Sequence, residues 1–448
     1  MTDLAQVLAA HAAAFPAHRL DPRVREHLAL DLVDGLAATV GGVKAPGVAE
    51  LANVLSAQSG PGNAQRFATQ ERWPAVVAAQ LNATAGHALD YDDTLDEGGG
   101  MHAGALVHSA ALAVADSLGG VSGETFVAAT AVGLDIAVRL ALAPTRDFGW
   151  HRTSVFGVFG VVGAVGRLYG LNGSQFVNAF GIAYSQASGN RQCVADGALS
   201  KRLQAGFAAR DGIVAAQLAK AGITGATRVF EGQDGFFPLY QRGEYVRERV
   251  TEGLGERLLS HLISLKPYPC GRNLHGFLDA TARARAAHEG RTIEGIDVHL
   301  EAKSFGRATL TWPQHVVAAQ FSIPFAVALS TATGRTSLAD FDAPDRAPAA
   351  VKALFDRIRV QPHEGTPEED RIVFHYSNGA SHEERTAGVR LGHPANPVSR
   401  EQTAEKLRDC NAFAGSPLSE AAVEQVLSAA LGIASLPSTN TLTRVLRA

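Results

Sequence analysis

The chain has 448 residues, more than a single hydrophobic core usually serves, so two domains are expected. Charged residues make up 19% and hydrophobic residues 46%, with a formal net charge of only -4, a balance that argues against a nucleic-acid partner. Met1-Thr2-Asp3-Leu4 lacks the basic and apolar regions of a secretory signal, the longest apolar run noted, Val155 to Gly166, is too short to span a bilayer, and Cys193, Cys270 and Cys410 are scattered; a cytoplasmic protein without a membrane partner is the expectation.

Up to about residue 255 apolar residues recur at helical spacing, broken by Gly, Pro and Asn. The pattern predicts helices over Pro22 to Val40, Val76 to Leu89, Ala103 to Leu118, Thr125 to Ala141, Ser154 to Tyr169, Gly173 to Gln186 and Leu203 to Ala219. Several are apolar on every face, as in the interior of a helical bundle. Gly157, Gly160, Gly163 and Gly166 are not preceded by a strand and form neither a dinucleotide fingerprint nor a P-loop; they predict a smooth stripe against which a second helix packs closely.

After Lys266 a helix is predicted over Leu274 to His288, strands over Ile296 to Glu301, Arg371 to Tyr376 and Glu384 to Leu391, and helices over Val316 to Ser330 and Pro348 to Arg357. These make an α+β unit with a small antiparallel sheet. From Ser399 the chain turns helical again through Lys406 and Val423 to Leu431, as a return to the first domain. The fold class is therefore mainly α, with an all-helical domain of residues 1–262 and 396–448 and an inserted α+β domain of 263–395.

Four segments carry candidate chemistry. Asp90-Tyr91-Asp92-Asp93-Thr94 precedes the hinge Gly98-Gly99-Gly100 and His102 at a helix start, where the helix dipole disfavours imidazolium and keeps the ring able to accept a proton. Helix capping is the alternative use of these Asp and Thr residues, and a hard cation is the alternative partner for Asp90, Asp92, Asp93 and His102, although neither calcium-loop nor zinc-protease spacing is present. His151 stands before the glycine-rich helix, which Thr153 could cap, with Trp150 to exclude water. Lys201 and Arg202 open the next helix, where cations are disfavoured unless solvated or matched by an anion. Lys266-Pro267-Tyr268-Pro269, with His275 following, reads as a stiff extended loop at the domain boundary.

In this order and at these separations the segments resemble the MmgE/PrpD family, which includes methylcitrate dehydratases, cis-aconitate decarboxylases and iminodisuccinate epimerase. The resemblance covers nearly the whole chain. The family pattern of Asp, Asp-Thr and His falls on Asp90, Asp93-Thr94 and His102, its second histidine on His151 and its two lysines on Lys201 and Lys266. It implies a helical domain and a smaller α+β domain with the active site between them, a homodimer, and chemistry on a small polycarboxylate without cofactor or metal.

Abstracting a proton next to a carboxylate requires a base near neutral pKa and fixed cations for the developing charge. Catalysis is thus expected from His102, His151, Lys201 and Lys266, and substrate contacts from Asp90, Asp93, Thr94, Arg152, Arg202 and His275. Two departures from the family pattern lean toward an epimerase acting on a compound such as iminodisuccinate: Phe325 stands where decarboxylases carry Tyr, and Arg152 replaces a frequent Pro and offers a bidentate carboxylate partner. A hydro-lyase or decarboxylase is the enzymatic alternative, and a non-catalytic ligand-binding scaffold the alternative from another class.

Overall fold

Nine helices of at least nine residues follow one another between Leu4 and Lys220 in a computed structural model, which describes residues 2–305, 310–386 and 388–447. They are α1 (Leu4–Ala14), α2 (Pro22–Gly42), α3 (Val48–Ser56), α4 (Ala75–Gly86), α5 (Gly104–Ser117), α6 (Gly123–Leu142), α7 (Arg152–Leu168), α8 (Gly173–Tyr184) and α9 (Ser200–Lys220). Their starts are written locally: Asp3, Asp21, Ser122 and Asn172 each accept a hydrogen bond from a first-turn N–H of the helix they precede.

The glycine stripe does what its spacing predicts. A Cβ on Gly160 would lie 2.8 Å from the Ala137 Cβ and 2.9 Å from the Gly133 carbonyl oxygen, so α6 and α7 meet backbone to backbone. Gly206 is equally constrained: a Cβ there would sit 2.1 Å from Thr84 Oγ1, which lets α9 lie directly on α4.

Contrary to the reading of the apolar runs, α6 is long and apolar enough to cross a membrane, but 89% of its apolar window is buried inside the fold. Within it, Arg139 Nε donates to Asp135 at 2.9 Å, and its remaining nitrogens donate to the carbonyls of Val250, Glu252 and Arg257. A buried guanidinium spent in this way ties the 250–257 loop to the helix.

The residues up to Leu265 together with those from Ser399 form one unit, and Lys266–Val398 form a second. In the second, α10 (Arg272–Ala284), β1 (Ile293–Glu301), α11 (Ile323–Thr333), β2 (Ile358–His363), β3 (Arg371–Tyr376) and β4 (Ser381–Arg385) are the main elements. Phe277 and Leu278 of α10, with Val298 and Phe374 of the sheet, build its core. The chain is mainly α with a smaller α+β part.

The sheet, in the order β2-β1-β3-β4, is mixed and not purely antiparallel: β1 pairs parallel with β2 through a helical crossover and antiparallel with β3. The sequence reading had no β2, whose burial alternates only weakly. It also set the last strand at Glu384 to Leu391, whereas β4 ends at Arg385; position 387 lies outside the described residues. The helix expected over Val316 to Ser330 is broken at Phe321-Ser322, because Ser322 Oγ accepts the Phe325 N–H and Pro324 sits in the first turn of α11. The chain then returns to the first unit with α12 (Arg400–Phe413) and α13 (Glu420–Leu431).

Candidate active site

The end of α4 and the turn after it set the geometry. His87 is the C-terminal cap of α4, and the chain then turns through Asp90, whose φ of 54° is left-handed, a conformation tolerated by Asp more readily than by most residues. Asp92 and Asp93 are thereby buried on the inner side of the helical unit.

His87 is the central residue that the sequence reading missed. Its Nδ1 lies 2.7 Å from Asp92 Oδ2, with both side chains buried, so the ring donates from Nδ1. Its Nε2 lies 3.4 Å from His151 Nε2, and its ring centroid is 5.3 Å from that of His151 and 5.0 Å from that of His102. The signal was present in the spacing: a His at a helix end with an Asp five residues on places both in one turn.

His102 Nδ1 donates to the Asp93 carbonyl at 2.5 Å, which puts the lone pair of the neutral ring on Nε2. The backbone N–H of His102 donates to Thr153 Oγ1 at 3.1 Å; Thr153 is thus spent on joining the two histidine segments, and His151 itself occupies the cap position of α7. Burial, then the neighbouring His87, Lys201 and His102, holds the His151 imidazole well below its ordinary pKa. His151 is accordingly neutral at neutral pH.

Lys201 sits at the start of α9, and the anion that compensates it is a protein carboxylate: its Nζ lies 2.7 Å from Asp90 Oδ1. Burial opposes its charge, but Asp90, with Asp92 behind it, outweighs this and raises the ammonium above its ordinary value. Trp150 stacks on Tyr240 at 4.4 Å and donates its indole N–H to the Tyr240 carbonyl.

Several expected substrate contacts have other structural work. Asp93 caps α5, accepting from the N–H groups of Ala103 at 2.9 Å, Gly104 at 3.0 Å and Ala105 at 3.3 Å. Burial beside Asp31 and Asp92 pushes its pKa well up against the pull of those N–H groups. Thr94 pairs through its backbone with Ser264, at 2.8 and 2.6 Å. Arg152 Nη1 donates to the carbonyls of Gly98 and Ala141 at 3.1 and 3.0 Å, so it pins the glycine hinge. Arg202 donates to the Pro46 carbonyl at 2.7 Å.

Lys266 and His275 belong to the second unit. Lys266 is buried on the segment leading into α10. His275 is fully buried, accepts at Nδ1 from Arg272 at 3.1 Å and donates from Nε2 to the Cys270 carbonyl at 3.3 Å. Burial, with Arg272 and Lys266 nearby, keeps it neutral. Phe325 is likewise fully buried, edge-on to Trp312 and Phe341.

Among the described residues, one group of metal-ligating type is close enough to share an ion: His87, Asp92 and His102, with one ligand atom each within 4.8 Å of one another. In it both rings approach Asp92 through Nδ1, at 2.7 Å for His87 and 3.6 Å for His102, and both Nδ1 atoms already donate to oxygens, so an ion would have to displace those hydrogen bonds or bind through Nε2.

A helical unit holding three clustered imidazoles beside a charged lysine carries groups suited to acid–base chemistry. The comparisons name the class more closely: residues 6–249 match the MmgE/PrpD N-terminal domain and residues 268–431 the MmgE/PrpD C-terminal domain, so the chain belongs to the MmgE/PrpD family. The cis-aconitate decarboxylase-like protein oryM of Aspergillus oryzae is 27% identical over 415 residues, covering 84% of each chain. The cis-aconitate decarboxylase of Aspergillus terreus is 25% identical over 454 residues, covering 93% of this chain and 90% of its own length. That of Mus musculus is 25% identical over 404 residues, covering 84% and 79%. The relatives of this chain are enzymes.

Proposed function

We propose that the chain transfers protons at a carbon next to a carboxylate of a small polycarboxylate, and that the net reaction is epimerisation of a compound such as iminodisuccinate. The observation that carries this reading is the packing of His102 and His151, the latter kept neutral by burial, on either side of His87, beside an ammonium that Asp90 keeps charged. A neutral imidazole can take the proton, and the lysine can balance the charge that builds on the carboxylate. In epimerisation the C–H bond breaks toward one base, the electron pair delocalises into the adjacent carboxylate, and a second group returns a proton to the opposite face. His102, His151, Lys201 and Lys266 are our assignment for these roles, acting in a cytoplasmic homodimer without cofactor.

Decarboxylation is the second reading, favoured by the names of relatives that cover most of this chain. There a C–C bond breaks, carbon dioxide leaves, and the electron pair left on carbon takes a proton from the same imidazole or ammonium groups. Proton NMR in deuterium oxide with iminodisuccinate, 2-methylcitrate, citrate and cis-aconitate separates the readings. Deuterium uptake with loss of optical rotation and no new carbon skeleton supports the epimerase. Carbon dioxide or water released in proportion to substrate consumed establishes a lyase, and no exchange with any of the four sinks both.

A further inference from the structure

Behind the site a buried cation has been given no role so far. Lys406 lies on α12, in the segment that returns to the helical unit after the α+β unit, and is 4% exposed. Its Nζ lies 2.5 Å from Asp34 Oδ1 of α2 and 2.5 Å from the Tyr91 carbonyl oxygen, and 4.1 Å above the centre of the Tyr91 ring. Tyr91 is the residue between Asp90, which pairs with Lys201, and Asp92, which holds His87. The peptide that Lys406 grips is therefore the one that links the two carboxylates orienting the cationic and imidazole halves of the site.

A buried ion pair is poor evidence for stability, since desolvating two charges consumes most of their attraction. A hydrophobic pair would fill the space between α2 and α12 as well. What an apolar pair cannot supply is a donor to the Tyr91 carbonyl, in a turn whose preceding residue is held left-handed. Without that donor the turn loses one of the contacts that hold Asp92 against His87 Nδ1.

We propose that Lys406, charge-balanced by Asp34, is a positioning residue that fixes the Asp90–Asp92 turn and through it the orientation of His87 and His151. The catalytic consequence rests on the proton-transfer function proposed above; the positional one does not. It is remote from the reacting groups in sequence, 315 residues from Tyr91, and comes from the last helical segment. The C-terminal return of the chain thus completes the site as well as the helical core.

The test compares Lys406→Met with Lys406→Gln, each alone and with Asp34→Asn, in the full-length protein. The imidazole 15N resonances of His87 and His151, assigned by His87→Gln and His151→Gln, report ring orientation and hydrogen bonding without any substrate. Lys406→Met is expected to shift both sets of resonances. With whichever of the four NMR-screen compounds turns over, it is expected to lower kcat at least 10-fold while KM changes less than 3-fold. Lys406→Met with Asp34→Asn should recover thermal stability but neither the resonances nor kcat. Lys406→Gln with Asp34→Asn, which keeps a donor for Tyr91 without the charges, should recover both.

Unshifted histidine resonances in a folded Lys406→Met protein overturn the proposal, as does recovery of kcat in step with stability. If Lys406→Met does not fold, the Gln and Asn double variant decides: altered resonances there overturn it and wild-type resonances support it. Loss of the proposed activity reading itself, with no turnover by the wild type, leaves the resonance comparison intact.

Discussion

His87 Nδ1 and Asp92 Oδ2 lie 2.7 Å apart with both side chains out of reach of water, and the pair fixes which nitrogen of His87 faces His151. In the tautomer with the proton on Nδ1, Nε2 is the acceptor toward His151 across the 3.4 Å gap. Asp92→Asn removes the carboxylate that selects this tautomer. It is expected to lower kcat/KM by about 100-fold, the order of a lost acid–base contribution, while the thermal midpoint changes by only a few degrees. Steady-state rates within 3-fold of wild type would reduce the pair to a packing contact.

Lys201 and Arg202 are neighbours on α9 with different partners, Asp90 for one and the Pro46 carbonyl for the other. Lys201→Ala should cost about 100-fold or more in kcat/KM, since the site loses the cation facing the developing charge. Arg202→Ala should stay within about 3-fold, because an exposed contact to a carbonyl contributes little. Parallel kinetics on the two variants check this, and equal small losses would make Lys201 an ordinary structural ion pair.

How much of this was legible in the sequence follows from how local each feature is. The starts of α2 and α8 matched the reading, each behind an Asp or Asn that caps N–H groups two or three residues on, whereas α6 begins two residues before the expected Thr125 and α1 was not anticipated. That a helix packs closely on α7 was readable from the three-residue recurrence of Gly157, Gly160, Gly163 and Gly166, but that Gly160 and Gly163 meet α6 while Gly157 meets Leu106 and Gly166 meets Phe176 was not. Strand β2 was not, since it pairs parallel to β1 across a long crossover and its own residues are mostly half-exposed. Asp90, His102, His151 and Lys201 stood out by type and context, but which atoms they meet did not. The carbonyl partners of Arg152, Gly98 and Ala141, were not legible either, since only the fold brings that hinge and helix end together. His87 and Lys406 were passed over for the same reason: their partners are settled by a turn and by a helix far along the chain.

The imidazole group bears on metal dependence. His87, Asp92 and His102 could converge on a divalent ion, but the Lys201 ammonium already supplies the positive charge of the site, and it bears on His151 from nearby. Activity is expected to survive exhaustive EDTA treatment, and added zinc to inhibit by occupying the Nε2 positions, reversibly on chelation. EDTA inactivation rescued by a divalent ion would convert the group into a functional metal centre.

Gly160→Ala pits helix propensity against packing. The substitution favours the α-helix by about 1 kcal/mol. Its Cβ, however, meets the Ala137 Cβ at 2.8 Å and the Gly133 carbonyl oxygen at 2.9 Å, and neither can swing aside. Overpacking of this kind costs about 1–3 kcal/mol, so the clash should win and the variant should melt several degrees lower. A thermal midpoint at or above that of the wild type would mean that α6 and α7 are not packed this closely.

The pH dependence of stability combines two opposed contributions. Burial lowers the pKa of His275 well below 6.5, so the unfolded chain binds a proton that the folded chain refuses, and stability falls as pH drops below about 6.5. Asp34 runs the other way: burial, only partly offset by Lys406, raises it to about 7 from 3.8, so the folded state holds a proton that the unfolded chain has released, and its contribution grows as pH falls from about 7 toward 4. His275→Asn should therefore flatten the loss of thermal stability between pH 6.5 and 5, whereas Asp34→Asn should steepen it. The first is read as a smaller drop in thermal midpoint per pH unit than in wild type, the second as a larger one, each against its own value at pH 7.5 to remove the cost of the substitution itself. Identical slopes in all three proteins would place the titrating groups elsewhere in the chain.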